Sequence, residues 1–507
     1  MGTTVSTAGL AGARSGAASA RRLGLVPVLA LGLLVEAALL AGLTWPLAIW
    51  RAPGAITASE PLSEMLGQSP RGLARFVLTL VVWAAGYLGA LVLSRRPPTR
   101  AARVALLALP VLFAITLAPT WPAASKDLYH YVIEGRTLAV HGENPLVTPP
   151  IELGSDPLLW IVSSWEWEPS RYGPLWALVA AVPVRLAGDS LTWSVLGFKA
   201  IGVAGFLATC ALVYLTARRA SPAHALPAYV LIAWNPLFLF ESAANGHNDT
   251  LMVACTALAL YGAARRDWAL ALPALAAAVL IKYVTGLLGP LLLLWAWSET
   301  RRGRAEGQGL FLGVILAGLL LSLSYAALWA GADTFRALSG AAGDALNSPG
   351  WLAREALERA GLSTRPARLL VGLPLAVLFL TAYGAALRLA WRRPQGVTSL
   401  WIAGFLTLAV YLLTVSWWFW PWYVTWLLPL AALLWFRPMA ALAVVWSIAA
   451  LFSYVPINFR PLFWGEPPDD RMPLAVVLVV FLPVASAALL LLLRAVQTRQ
   501  SVADRVR

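Results

Sequence analysis

The chain has 507 residues, of which 60% are hydrophobic and only 12% charged, with a formal net charge of +14. A water-soluble chain of this length would carry about twice that charged fraction, so a soluble globular protein is excluded. The positive balance does not point to nucleic acid; Arg retained in the cytoplasmic loops of a membrane protein explains it more simply.

Apolar runs near the roughly 20 residues that cross a bilayer recur along the whole chain. Backbone groups in hydrocarbon must pair internally, and runs of this length rich in Leu and Ala read as helices rather than barrel strands. The expected fold is an all-α polytopic bundle. In chain order its spans fall near 23–50, 73–94, 101–119, 193–216, 224–243, 249–264, 267–282, 285–298, 308–331, 366–391, 396–416, 422–436, 438–455 and 473–494, about 14 transmembrane helices. The first run is too long for a signal peptide and is taken as a retained span. Cys210 and Cys255 lie inside apolar runs with no metal or redox spacing, and read as packing residues.

Basic clusters at Arg21-Arg22, Arg95-Arg96, Arg218-Arg219, Arg265-Arg266, Arg301-Arg302, Arg392-Arg393 and Arg437 fall on one side in this scheme, with the Arg-rich tail. The positive-inside rule makes that side cytoplasmic. Residues 173–187 are apolar enough to cross, but counting them as a crossing inverts every later loop. They are expected to form a juxtamembrane or re-entrant helix on the outer face. The organisation is then a cytoplasmic tail (1–22), two leading helices (23–99), a catalytic module (100–331) with outer loop 120–172, a second outer loop (332–365), C-terminal helices (366–494) and a cytoplasmic tail (495–507).

The outer loops hold the chemistry. Ser125-Lys126-Asp127-Leu128-Tyr129-His130-Tyr131, followed by Glu134-Gly135-Arg136, sits where a span gives way to water. On a helix Asp127, His130-Tyr131 and Glu134 share one face. Asp127 reads either as a general base toward an alcohol or as a helix cap. In Glu241 to Asp249 the side chains of Glu241, Asn245, His247, Asn248 and Asp249 exceed what a turn requires. Ionisable groups at membrane depth are costly and tend to be functional, and such a donor and acceptor set suits a hydroxyl-rich ligand. A divalent metal on Asp127, His247 and Asp249 is chemically feasible, but no spacing signature supports it; no metal or other cofactor is expected.

The chain has three lysines, Lys126, Lys199 and Lys282. Lys199 and Lys282 lie within apolar runs, where a desolvated ammonium wants an anion such as a lipid phosphate or snorkels to the headgroups. Trp417-Trp418-Phe419-Trp420-Pro421-Trp422-Tyr423 reads as a sugar-stacking or lipid-lining corner, or as an interfacial belt. Glu36 reads as a packing residue within the first span.

Together these motifs resemble the GT-C superfamily of membrane glycosyltransferases, and within it the bacterial polyprenyl-phosphate-mannose-dependent α-mannosyltransferases. The resemblance covers roughly residues 100–300. It rests on Asp127, Tyr129, Tyr131, Gly135 and Arg136; on Gly142-Glu143-Asn144-Pro145; on Arg171-Tyr172-Gly173-Pro174-Leu175; on Asn235-Pro236-Leu237, Glu241 and Asn245 through Asp249; and on Lys282. It implies that Asp127 is the catalytic base of an inverting transfer from a polyprenyl-phosphate sugar to a lipid-linked or cell-envelope glycan. Lys282, Arg171, Arg136 and Lys199 would bind the donor phosphate. Tyr129, Tyr131, Glu134, Asn144, Tyr172, Glu241, Asn245, His247, Asn248 and Asp249 would bind sugar or acceptor. His130 stands where relatives often carry Arg, so any charge there would depend on pH. The implied partners are the lipid donor, a glycan or glycolipid acceptor and membrane lipids, with no nucleic acid. The rivals are transfer to protein or lipid acceptors and, in another class, a transporter or flippase. The chain shows no internal repeat of the kind transporters carry.

Overall fold

Among the residues described by the computed structural model (22–50, 69–122, 124–162, 165–341, 344–392, 395–464 and 471–506), the secondary structure is helical with three isolated bridges. The expected tail through Arg21, Arg393 and part of the outer loop 456–472 lie outside the described residues. Among the described residues nine helices are long and apolar enough to cross a membrane: Leu25–Leu47, Pro70–Ser94, Arg100–Leu117, Leu191–Ala220, Gly307–Ala326, Thr364–Arg392, Val397–Thr414, Pro438–Asn458 and Arg471–Thr498. A tenth is formed if Pro222–Ala233 and Pro236–Ala244, bent by 54°, count as one. The all-α polytopic expectation is met. The remaining expected crossings are shorter helices: Asp249–Arg265, Trp268–Ile281, Gly289–Arg301 and Pro421–Leu433.

These short helices have a physical cause in the polar breaks between them. Pro236 brings no backbone N–H, and its ring pushes Asn235 out of helical geometry to ψ 117°. The freed groups must be satisfied inside the bundle. The Asn235 side chain accepts from the Phe238 N–H and donates to Ser447 Oγ (2.9 Å) and Tyr87 Oη (3.2 Å). One turn later the helix widens over Phe240–Ala244, with the Asn245 N–H bonded to the Phe240 carbonyl. Such widened turns are frequent at functional sites.

Two glycines set the close approaches that build the site. A Cβ on Gly173 would sit 2.0 Å from the Leu280 carbonyl oxygen, and the Gly173 N–H donates to Ile281 (3.1 Å). This clamp holds Tyr172 beside Lys282. Gly246 has φ +71°, and a Cβ there would meet the Leu128 side chain at 2.7 Å, so the 245–248 turn packs directly beneath the helix that carries Asp127. That helix, Asp127–Ala139, lies against Pro174–Ala187, a 14-residue helix shorter than a crossing.

At one end of the bundle the basic residues contact neighbouring helix ends. Arg266 pairs with Glu299 (2.5 Å), Arg219 reaches the Ala264 carbonyl, Arg95 lies over Trp435 and Arg437 donates to Gln395.

Candidate active site

Asp127 opens the first turn of its helix, after Lys126. Its carboxylate does not cap: Ser125 Oγ accepts the Asp127 N–H (3.2 Å), which leaves the carboxylate to face a cavity of about 1260 Å³. The capping alternative is thereby excluded. Asp127 Oδ2 accepts from the Tyr172 hydroxyl (3.3 Å) and lies 3.6 Å from His247 Nδ1. Desolvation pushes the Asp127 carboxyl up to about 6, with Lys282 opposing the shift and Asp249 adding to it. A carboxylate poised there accepts a proton readily near neutral pH.

Lys282 sits at an extended break between Ile281 and Tyr283 and reaches the same cavity. Its ammonium bonds both Asp249 oxygens (2.9 and 2.8 Å). It also lies within 6 Å of the Tyr172, Tyr423 and Trp426 ring centres, at 5.4, 5.2 and 5.7 Å, where ring quadrupoles attract a cation. Asp249 is held in turn by the Trp426 indole N–H (2.6 Å). The cation is thus fixed at the wall. Arg171 also lines the cavity, paired with Glu168 and with Asp344 (2.6 Å) and lying over Trp165.

Tyr129, Glu134 and Tyr172 line the cavity as well. His130 does too, but burial and the adjacent Lys126 push its imidazole down to about 4, so it is neutral where Asp127 is ionised and adds no fixed positive charge.

Several sequence expectations are corrected. Arg136 is buried away from the cavity, spent on Asp156, Asp189 (2.7 Å) and the Gly188 carbonyl; it ties the outer loop together and does not face a donor phosphate. Lys199 is fully buried, its ammonium on Thr120 Oγ1 (2.8 Å). Tyr131 is buried against Trp176 and Phe198, its ring edge-on to Tyr172, which it helps to position. Asn144 closes a turn, accepting from the Leu146 N–H and donating to the Leu328 carbonyl (2.7 Å).

Glu241, Asn245, His247, Asn248 and Asp249 are all at most 2% exposed and stand behind the cavity wall rather than on it. Glu241 accepts from the Tyr454 hydroxyl (2.7 Å) and Asn245 (2.8 Å), and lies 3.4 Å from His247 Nε2. The His247 ring stacks on Trp422 at 4.2 Å. Two of them contact the residues that do line it: His247 lies against Asp127, and Asp249 bonds Lys282. Among the described residues, no three His, Cys, Asp or Glu side chains converge to hold a metal ion.

The aromatic corner turns inward: Trp417, Trp418, Trp420, Trp422 and Tyr423 wall the cavity, and Phe419 is fully buried. Arg365 and Arg368 on the Thr364–Arg392 helix also reach it, followed by Leu369 and Leu373, which are 50% and 62% exposed. Neither arginine features in the sequence reading. Its signal was an Arg pair three apart, in register with a Leu pair four apart, at the head of an apolar run.

The family model for the alpha-(1->6)-mannopyranosyltransferase N-terminal domain matches residues 28–299, more than half of the chain. Two curated relatives come from Corynebacterium glutamicum. Alpha-(1->6)-mannopyranosyltransferase A is 25% identical over 185 residues, 36% of this chain and 36% of the relative. Alpha-(1->6)-mannopyranosyltransferase B is 28% identical over 165 residues, 31% of this chain and 27% of the relative. The aligned stretches span only 36% and 27% of the two relatives' own lengths.

Proposed function

This chain belongs to the alpha-(1->6)-mannopyranosyltransferase family, and on that premise we propose that it moves mannose from a polyprenyl-phosphate donor onto a glycan acceptor, with Asp127 as the base. The acceptor hydroxyl gives its proton to Asp127 as its oxygen attacks the anomeric carbon. The bond from that carbon to the phosphate oxygen breaks, and its electron pair leaves with the polyprenyl phosphate. The configuration inverts, so a β-linked donor yields an α-mannoside.

One observation carries this reading: a single cavity joins a carboxylate poised near 6 to basic side chains and to an apolar wall on the bundle's flank. Leu369 and Leu373 suit a polyprenyl chain. Lys282, Arg171, Arg365 and Arg368 supply positive charge for the departing phosphate, where fixed donors stabilise developing charge best. The basic clusters gathered at helix ends support a cytoplasmic side away from the cavity, with transfer on the outer face of the cytoplasmic membrane.

The test is purified full-length protein in lipid nanodiscs, given radiolabelled mannosyl polyprenyl phosphate and an oligosaccharide acceptor. Asp127→Asn is expected to lower kcat by about 10²–10⁴-fold with donor binding retained. Near-full transfer in that variant rejects Asp127 as the base, and no transfer by the unaltered chain rejects the activity.

A further inference from the structure

No step above uses His247, yet it stands directly behind the base. Its backbone is fixed by the turn at Gly246: the His247 N–H donates to the Glu241 carbonyl (2.9 Å), and its own carbonyl accepts from the Thr250 N–H (3.1 Å). Its ring is fixed by stacking on Trp422 at 4.2 Å, which is itself stacked on Trp420 at 5.2 Å. The imidazole is buried between two carboxyls, with Nδ1 3.6 Å from Asp127 Oδ2 and Nε2 3.4 Å from Glu241 Oε2. Among the described residues neither ring nitrogen makes a hydrogen bond. Burial, and then the Lys282 charge, hold the imidazole well below its usual range. It is therefore neutral and has a single N–H to place, and a buried N–H left unpaired is costly.

Resting on Asp127 as the base, we propose that His247 is its positioning residue: Nδ1 carries the proton and donates a hydrogen bond to Asp127 Oδ2, which keeps the carboxylate ionised and in one orientation. The two carboxyls differ in their freedom to approach the ring. Glu241 is pinned by short bonds from Tyr454 (2.7 Å) and Asn245 (2.8 Å). Asp127 borders the cavity with 27% of its side chain exposed, and its bond from the Tyr172 hydroxyl is longer, at 3.3 Å. A shift of about 0.7 Å by Asp127 brings the pair to hydrogen-bond distance. Besides Tyr172, Ser125 also bonds the Asp127 side chain. From its own helix the titratable groups acting on Asp127 are Tyr131 and Glu134. From other elements they are Tyr172, Glu241, Asp249 and Lys282, with the Tyr423 and Tyr454 hydroxyls. All of these stay in place when His247 is replaced, so a change in the proton affinity of Asp127 reports on the imidazole.

The experiment uses full-length protein in nanodiscs with mannosyl polyprenyl phosphate and methyl α-mannoside, and three variants. An Asn amide ends where the imidazole has Nδ1, and a Gln amide where it has Nε2; Phe keeps a ring on Trp422 and has neither donor. Removing a donor from the ionised form raises a carboxyl's proton affinity. His247→Gln and His247→Phe are therefore expected to move the acid limb of transfer up by about one pH unit. They should also lower kcat about tenfold, with the donor KM within about twofold. His247→Asn is expected to hold the limb in place and to restore most of kcat. An unmoved limb in the Gln and Phe variants, rescue by Gln as good as by Asn, or an equal loss in all three overturns the proposal. If the Phe variant does not fold, the contrast of Asn with Gln decides. Carbodiimide labelling of protonated Asp127 across pH, read by peptide mass spectrometry, follows the same shift without turnover. A labelling midpoint about one pH unit higher with Gln than with Asn supports the proposal even if no mannose is transferred, an outcome that would sink only the transferase reading. Equal midpoints sink the positioning role.

Discussion

The two polar clusters, 125–136 and 241–249, carry similar side chains in the sequence and occupy unlike places in the structure. The first puts Asp127, His130 and Glu134 onto the cavity wall. The second is wholly buried behind it, with Asp249 on Lys282 and Glu241 on Tyr454. In the first cluster, partial burial leaves carboxyls that can still meet a ligand, and their proton affinities are tuned by it. In the second, full burial requires each charge to have a partner, because an unpaired one would cost far more than a neutral group. The difference teaches that similar polar side chains divide by burial: one set meets the cavity, and the other touches it only through contacts such as Asp249 on Lys282 and His247 beside Asp127.

Three measurements can break or sharpen that comparison. The largest effect is expected from Asp249→Leu, which strands the Lys282 ammonium at a mostly buried site. Folding stability should fall by about 3 kcal/mol, read as a lower unfolding midpoint in detergent, whereas Asp127→Asn, which removes a desolvated charge, should not lower the midpoint. Equal midpoints for the two variants would erase the distinction between the clusters. Next, Glu241→Ala leaves the Tyr454 hydroxyl and Asn245 amide without their acceptor, and is expected to cost about 1–3 kcal/mol by the same measurement.

The smallest effect is a shift in the pH profile. Transfer should fall as pH drops through about 6, where Asp127 takes up its proton. Acid unfolding at this residue does not explain the loss. A carboxyl raised above its ordinary value stabilises the fold fully below that ordinary value, and the contribution is lost only as pH rises through 6. Because the Lys282 charge holds Asp127 down and Asp249 pushes it up, Lys282→Met should move the acid limb to higher pH. A limb that stays in place would show that Lys282 does not act on the base.

Much was legible beforehand because it depends on local pattern. Long apolar runs dictate helices, and the Asp127 to Lys282 motifs mark where the polar groups must gather. The kinks were less legible. Asn235-Pro236 carries the family motif, yet its structural work is to break a helix: the Asn235 side chain accepts the freed Phe238 N–H and is anchored by donating to Ser447 and Tyr87. Arg136 looked like a phosphate ligand because a sequence lists a guanidinium without its partner; Asp156, twenty residues on, claims it.

What the sequence determined by itself was a helical membrane protein whose polar residues concentrate at Asp127, at 241–249 and at Lys282, since hydropathy and charge are properties of the residues alone. Only the tertiary structure decided which of those residues face the cavity. Asp127, Glu134 and Lys282 do; Arg136, Lys199 and the 241–249 side chains do not. Exposure and proton affinity depend on what packs alongside from distant parts of the chain, such as Trp422, Trp426 and Tyr454, and no local pattern carries that information.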